Sequence, residues 1–459
     1  MFFKQFYNKK LSHYSYLIGC EKTSEALLID PLRLLEDYEK TCQEEGLTIT
    51  AVTETHIHAD YASGLRDAAD YFEATAYVSD EGDDNWKYKN MPDSTVYLKD
   101  GDILTVGEEI LVQAVATPGH TPESLSFALT DKGIGSVVPM GIFTGDFLFV
   151  ADIGRPDLLE KTSSQASSSQ AAAKDMYDSI QKMGNYRCFM QIWPGHGAGS
   201  PCGKAIGKIP LSTLGYERRN NWAFKIKEEE AFIEELLEGQ AEPPTYFAHM
   251  KKINQDGLPP FHKSHVPVAD EEGFSGQIFD LRPREEFSKG FLKKAINIPY
   301  NDKFLNFMGW LIDYDEPMTV IADPDKIEQI QEDLALIGYD QLAFIVPDNQ
   351  VDAYLDASYP TVEAADFLDL EEDVQVLDVR DRTEWERGHL EQAENIHFGH
   401  LEEADLDLDP DEPVYIHCQS GVRSAIAASV LIGRGYEHIY NIKGGYSALK
   451  KELENRKER

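Results

Sequence analysis

Positive charge is scarce in this chain of 459 residues: 43 Lys and Arg stand against 81 Asp and Glu, a formal net charge of −38. A surface that negative repels phosphate backbones and anionic lipid, which argues against nucleic-acid and membrane-surface roles. The acids are spread along the chain rather than gathered in a tail, so they read as a solvated surface. Cysteine is scarce too. The five thiols (Cys20, Cys42, Cys188, Cys202 and Cys418) are too few to staple a chain this long. Long apolar runs are missing: nothing approaches the ~18 consecutive apolar residues of a membrane span. The opening MFFKQFYNKKLSHYSYLIGC has no long apolar core of the kind a secretory signal needs. The expected compartment is a reducing cytoplasm.

What is present suffices for real cores, with hydrophobic residues at 42% and aromatics at 11%. At roughly 150 residues per domain, the length points to about three domains. Residues 1–262 alternate strand-like and helix-like runs. SYLIGC and EALLIDP read as two strands of a hairpin, and LTITAVTETH as a β-branched strand ending at His56. ASGLRDAADYFEA has helical spacing from Ala62. ILVQAVATPGH, ESLSFALTD and MGIFTGDFLFV are further strand-like runs with polar tips. TSSQASSSQAAAK looks like a linker by composition, yet it merges into MYDSIQKM and is expected to open a helix. Pro-rich QAEPPTYF and GLPPFHKSHVP mark a seam near 243–266.

Beyond the seam the chain repeats itself. FDLRPREEFSKGFLKKAINIPY begins at Phe279, and LDVRDRTEWERGHLEQAENIHF begins at Leu377, 98 residues later. Nine of twenty-two aligned positions are identical, among them Asp280/Asp378, Arg282/Arg380, Arg284/Arg382, Glu286/Glu384 and Asn297/Asn395. Two α/β domains of similar design, 266–355 and 360–459, are therefore expected after the first.

Two constellations carry chemistry. In the first domain THIHAD sets His56, His58 and Asp60 at alternate positions where a strand should end. ATPGHTPES adds His120, FTGDF adds Asp146, and WPGHGAGSPCGK adds His196 and, further on, Cys202. Each lies at a strand tip beside Gly or Pro, where the backbone can turn and side chains can converge on one metal. In the last domain EPVYIHCQSGVRSAIAASVLIGRGY reads as a strand, a loop from Cys418 to Arg423, and an Ala/Ile-rich helix. Such a loop points backbone N–H groups and a helix N-terminus at the sulfur, which favours the thiolate and cradles an anion; Arg423 adds fixed charge. The same strand–loop–helix logic serves cysteine-dependent phosphatases, and the loop alone leaves both chemistries open. The middle copy has no thiol or closing Arg at this place. EPMTVIADPD puts Ile321, Ala322 or Asp323 there, depending on the gap.

The ordered set HxHxD, GH, GD and GHG resembles the metallo-β-lactamase superfamily over essentially all of residues 1–262. The resemblance implies an αββα sandwich with metal along one sheet edge. In dinuclear hydrolases of that superfamily the motif continues to a further histidine, whereas Tyr61 stands here, a poor ligand for a second zinc. In the persulfide dioxygenase branch the matching residues, His56, His120 and Asp146, hold one Fe(II), a two-imidazole, one-carboxylate set. GDFLFVADIGRPDLLEK is similar to that branch as well.

That likeness implies that His58, Asp60 and His196 orient the ligands or hydrogen-bond a bound oxygen species. It further implies that Arg155 clamps the carboxylate or phosphate of a thiol carrier. Cys202, after a Gly/Ser/Pro loop just beyond His196, is expected at the mouth of the metal pocket, gripping or relaying the persulfide, the alternative being a plain loop thiol. Cys20 reads as core, Cys42 and Cys188 as packing residues. Residues 360–459 resemble the rhodanese family, which implies that Cys418 carries a sulfane sulfur and Arg423 supports it; the middle domain is then a rhodanese-like domain without its cysteine. The fold expected is thus α/β and multidomain, an αββα sandwich followed by two α/β rhodanese-like domains. The function implied is Fe(II)-dependent oxidation of a small persulfide by O₂ to sulfite, coupled to sulfur transfer giving thiosulfate, as in sulfide detoxification. The carrier is glutathione, coenzyme A, bacillithiol or similar, and the assembly a homo-oligomer. The competing reading is a zinc-dependent thiolester hydrolase resembling glyoxalase II with an attached sulfurtransferase.

Overall fold

Strands β1 (Phe2–Asn8), β2 (His13–Cys20), β3 (Glu25–Ile29), β4 (Thr48–Thr53), β5 (Thr75–Ser79) and β6 (Val96–Leu98) form one sheet in that spatial order. The pairs from β1 to β3 are antiparallel and those from β3 to β6 parallel. A second sheet runs in the order β12 (Ser212–Thr213), β11 (Gln191–Pro194), β10 (Gly141–Gly145), β9 (Leu125–Asp131), β8 (Ile110–Ala116), β7 (Ile103–Val106). Only β10 and β11 pair in parallel there. The structure is a computed structural model describing residues 1–157, 168–269, 274, 276–370 and 374–458.

Period-two alternation sorts the strand residues between two cores. Along β2, Tyr16 and Ile18 pack with Val112, Phe127 and Phe143 of the second sheet. Leu17, between them, joins Tyr38, Cys42 and Leu65 on the helices Glu36–Glu45 and Leu65–Tyr71. Ile142 and Ile192 turn away from the inter-sheet core toward Met176 and Ile180 of the helix Ser168–Lys182. Four layers result, αββα. The inner strands β2, β9 and β10, covered on both faces, are buried along their whole length, whereas the edge strands β6 and β7 keep exposed residues.

Two local expectations shift. The helix expected from Ala62 begins at Leu65, because Gly64 N donates to Pro31 O (2.8 Å) and Ser63 N to Asn254 Oδ1 (2.9 Å), holding a turn. The Pro-rich seam is not merely a connector: it contains the helix Phe247–Asp256, whose Asn254 and the preceding Tyr246 are buried. The linker-like run does enter a helix at Ser168; its residues 162–167 lie outside the described residues.

Two compact units divide the chain, Met1–His262 with Glu332–Gly338, and Lys263–Gln331 with Tyr339–Arg459. The second unit contains both repeats, each built on its own parallel sheet. The first has the order β14 (Ala295–Asn297), β13 (Gln277–Asp280), β15 (Met318–Ala322), β16 (Leu342–Pro347). The other runs β17 (Thr361–Val362), β21 (Ile439–Ile442), β20 (Val414–His417), β18 (Gln375–Asp378), β19 (Ala393–Asn395). The identical residues of the repeat form the frame. Arg282 forks onto Asp280 (3.0 and 2.6 Å) and holds Gly290 O; Arg380 forks onto Asp378 (2.9 and 2.6 Å) and holds Gly388 O. Asn297 and Asn395 each donate to two carbonyls of the same turn, 2.9 and 3.0 Å away.

Candidate metal centre and thiol loop

His56 follows β4, His120 follows β8, Asp146 follows β10 and His196 follows β11, so one edge of the sandwich collects all four. All are buried. The gathered atoms share one aim. Asp146 Oδ2 lies 3.7 Å from His120 Nε2 and 3.9 Å from His56 Nε2. His56 Nε2 and Asp146 Oδ2 are buried without a hydrogen-bond partner, a costly state unless something else occupies the gap.

The opposite side of each ligand is anchored. His120 Nδ1 donates to Arg155 O (2.9 Å), which leaves Nε2 as the lone-pair nitrogen. His56 Nδ1 meets Thr55 Oγ1 at 2.9 Å, and Asp146 Oδ1 meets His196 Nδ1 at 2.7 Å. Two imidazoles and a carboxylate aimed at one point, each fixed from behind, fit a divalent transition metal. Gly195 makes this approach possible, since a Cβ there would lie 2.7 Å from Asp146 Oδ1.

His58, Asp60 and His196 surround this triad. His58 Nε2 bonds Asp30 Oδ1 (3.1 Å), and that carboxylate also accepts from Thr55 N (2.7 Å). Asp30 sits at φ +52°, a left-handed conformation uncommon for a non-glycine residue. His196 Nε2 reaches Asp60 Oδ2 at 2.7 Å, so this ring lies between two carboxylates. Burial opposes its charge, but Asp146 and Asp60 hold the His196 imidazole well above its ordinary value. Burial likewise opposes the Asp146 carboxylate, yet His196, His56 and His120 hold it well below the usual range. Tyr61 is buried, and burial with Asp30 and Glu54 pushes its phenol far up, so it stands neutral.

Several residues of the site escaped the sequence reading. His13, at the start of β2, is buried with neither ring nitrogen hydrogen-bonded; its ring lies 4.3 Å from that of Tyr61 and 5.3 Å from that of His196. A backbone bridge fixes it there, with Tyr14 N donating to Gly195 O (2.7 Å) and Gly197 N to Ser12 O (2.8 Å). Glu123 accepts from Ile57 N (2.7 Å), and burial pushes its carboxyl up to about 7. Asn254 donates to His58 O and Tyr61 O, both at 2.7 Å, and Tyr246 Oη donates to Asp60 O (2.8 Å). Helix Phe247–Asp256 and the residue before it therefore brace the HxHxD loop from behind.

Arg155 is buried, with Nε on Asp157 (2.7 Å), Nη2 on Asp157 and Ala241 O, and Nη1 on Pro201 O (3.3 Å). Cys202 is buried beside Asp60 and His196; burial, Asp60 and Asp146 push its thiol well up, so it is a neutral SH. Cys20 lies in the inter-sheet core at the far end of β2 from His13, roughly 23 Å away at ~3.3 Å per residue. Cys42 lies on the buried face of the helix Glu36–Glu45. Cys188, expected as a packing residue, is instead exposed in the turn before β11, with Arg218 Nη1 3.3 Å from its sulfur.

In the last domain β20 delivers Cys418 to the start of the helix Arg423–Gly433. The sulfur accepts from Gly421 N (3.1 Å) and faces Ser424 Oγ (3.7 Å). Gly421 has φ +92°, which lets the loop fold back over the sulfur. Burial disfavours the thiolate, but Arg423, the N–H groups of Ser424 and Ser420 and the Ser424 hydroxyl hold the thiol below its ordinary value. Both η nitrogens of Arg423 also engage Glu384, Nη2 at 2.9 Å. Strand register settles the middle copy. Asp280 pairs with Ile321 as Asp378 pairs with His417, so Ala322 stands where Cys418 does. A methyl group replaces the thiol, and Asp323 caps the short turn Pro324–Lys326 instead.

Known proteins divide along the same line. The family model described as the metallo-beta-lactamase superfamily matches residues 9–196, and that of the rhodanese-like domain matches residues 363–452. A crystal structure described as a metallo-beta-lactamase from Staphylococcus aureus subsp. aureus COL is 51% identical with a TM-score of 0.73, covering 75% of this chain and 99% of that one. The chain belongs to the metallo-beta-lactamase superfamily and carries a C-terminal rhodanese-like domain. Its curated relatives include the bovine "Persulfide dioxygenase ETHE1, mitochondrial", 29% identical over 39% of this chain and 61% of that protein. They also include the fission yeast "Probable hydroxyacylglutathione hydrolase glo2" (Schizosaccharomyces pombe), 31% identical over 31% of this chain and 52% of that one. The chain thus spans about three fifths or less of these two relatives.

Proposed function

We propose that the first unit oxidises the terminal sulfur of a small persulfide to sulfite, and that Cys418 transfers a second sulfane sulfur to that sulfite. The observation that carries the first half is the set of three buried donor atoms aimed at one point, two of them without any other partner. Ferrous iron held by His56, His120 and Asp146 would supply the redox chemistry that joins O₂ to sulfur. The overall change is R–S–SH + O₂ + H₂O → R–SH + SO₃²⁻ + 2H⁺. The chain's own residues hold the site for it: Thr55, Arg155 O and His196 fix the ligands, and the neutral Tyr61 and Cys202 add no further charge.

The second half rests on a thiolate cradle. Cys418–S⁻ + R–S–SH → Cys418–S–S⁻ + R–SH loads the loop, and Cys418–S–S⁻ + SO₃²⁻ → Cys418–S⁻ + S₂O₃²⁻ unloads it. N–H groups around the sulfur and Arg423 stabilise the thiolate that leaves in the second step. One chain bearing both sites raises the local concentration of the intermediate. The compartment is the cytoplasm, and the carrier is a thiol of the glutathione, coenzyme A or bacillithiol kind.

A second reading, a two-metal zinc thiolester hydrolase, draws on the Asp60–His196–Cys202 group beside the triad and on the hydroxyacylglutathione hydrolase relative. The neutral Cys202 and a His196 already shared by two carboxylates weigh against it. The test is O₂ uptake with glutathione persulfide, alongside hydrolysis of S-lactoylglutathione with zinc. Uptake with sulfite or thiosulfate formed supports the oxygenase; efficient zinc-dependent hydrolysis without uptake establishes the hydrolase.

A further inference from the structure

The repeat gives Arg284 and Arg382 the same sequence place but different work. Arg382 lies on the surface, paired with Glu386 (3.0 Å) and stacked over Trp385. Arg284, in the domain without a cysteine, turns toward the cysteine loop of the other. A Cβ built at Gly421 would lie 3.7 Å from Arg284 Nη1, and Gly421 N is the group that donates to the Cys418 sulfur. Arg284 and Gly421 line a cavity of about 430 Å³ together with Ser420, Tyr359, Asn441 and Lys443.

Charge within this cavity is unevenly committed. Lys443 is paired with Glu363 (2.6 Å), which lines the cavity with Glu285; outside it, Arg423 gives both η nitrogens to Glu384. Arg284 spends only Nε, on the exposed Glu285 (2.8 Å). Its Nη1 is closed off from solvent and has no hydrogen-bond partner, an arrangement a bound anion would complete. An acceptor attacking a persulfide on Cys418 needs an opening at this loop, and sulfite brings two negative charges to a chain of net charge −38.

We propose that Arg284 is the binding residue for a doubly charged sulfur oxyanion at the mouth of the Cys418 loop, so that the cysteine-less domain completes the acceptor site. This rests on the sulfur-transfer reading above. A guanidinium that forks onto sulfite favours the dianion over a small monoanion such as cyanide, which gives the assignment a signature.

The test uses the full chain loaded with glutathione persulfide and compares sulfite with cyanide as acceptors, in the native protein, Arg284→Ala, Arg284→Lys and Cys418→Ser. Arg284→Ala should raise the KM for sulfite about tenfold or more, the order expected for a lost charge-assisted contact, with kcat within about twofold. Transfer to cyanide should change less than about twofold, and Arg284→Lys should recover part of the sulfite KM. An unchanged sulfite KM, or equal loss with both acceptors, overturns the assignment of Arg284 while leaving Cys418-dependent transfer standing. If the native chain makes no Cys418-dependent thiosulfate, the transfer reading falls and the acceptor site with it.

Discussion

His196 Nδ1 lies 2.7 Å from Asp146 Oδ1, and through that contact it turns Asp146 Oδ2 toward His56 and His120. The same ring reaches Asp60 on its other side. It therefore fixes the geometry of the triad without belonging to it. His196→Ala should lower metal affinity 10–100-fold, as the loss of a partner behind a ligand commonly does. Competition with a metal chelator measures this, and native affinity in the variant would remove His196 from any orienting role.

The brace behind the HxHxD loop makes a separate prediction. Asn254 donates to His58 O and Tyr61 O and accepts from Ser63 N. Asn254→Ala strips three partners at once and should lower stability by roughly 1–3 kcal/mol. Urea unfolding followed with metal retention reads both effects. A variant with native midpoint and native retention would show that the loop needs no prop.

Glu123 makes stability depend on pH. Its carboxyl moves from an ordinary 4.5 to about 7 on folding, driven by burial. A raised folded value means the native state holds this proton more tightly than the unfolded chain. The contribution is thus fully present below about pH 4.5 and is lost as pH rises through about 7. The total is on the order of 3 kcal/mol at ~1.4 kcal/mol per pKa unit. Glu123→Gln should remove that dependence, gaining stability over the native protein as pH rises across this window. Parallel pH profiles for both proteins would contradict it.

Much of this was legible in the sequence because the ligands follow strand runs and carry Gly or Pro beside them. His56, His120, Asp146 and His196 each end a recognisable strand, so their convergence follows from sheet topology. His13 had no such mark; it opens an apolar strand and reaches the site only because β2 and the His196 loop are bridged. Tyr246 and Asn254 lay in a Pro-rich stretch that composition assigns to a seam, and their hydrogen bonds span about 190 residues of sequence. In the second unit the nine identities mark a buckle of Asp, Arg and Asn common to both domains. Which residue replaces Cys418 needed the strand register, since the repeats differ in length between the paired strands.

The two active sites should separate cleanly. Cys418→Ser leaves the metal triad untouched, so O₂ uptake with glutathione persulfide should continue. A hydroxyl cannot take up sulfane sulfur because its alkoxide is inaccessible at neutral pH, whereas the loop lowers the thiol's pKa and so favours the thiolate. Free sulfite should then accumulate in place of thiosulfate. Thiosulfate forming at the native rate without free sulfite would show that transfer does not need Cys418.

The central claim, one iron held by His56, His120 and Asp146 and used for persulfide oxidation, is tested most directly by anaerobic purification with metal analysis of the native chain and His120→Ala. About one iron per chain is expected in the native protein, with one O₂ consumed per persulfide sulfur oxidised. His120→Ala should lose the iron and the uptake together, because two ligands remain where three converged. Full iron and full turnover in that variant, or zinc in the native chain with thiolester hydrolysis and no O₂ uptake, would contradict the account.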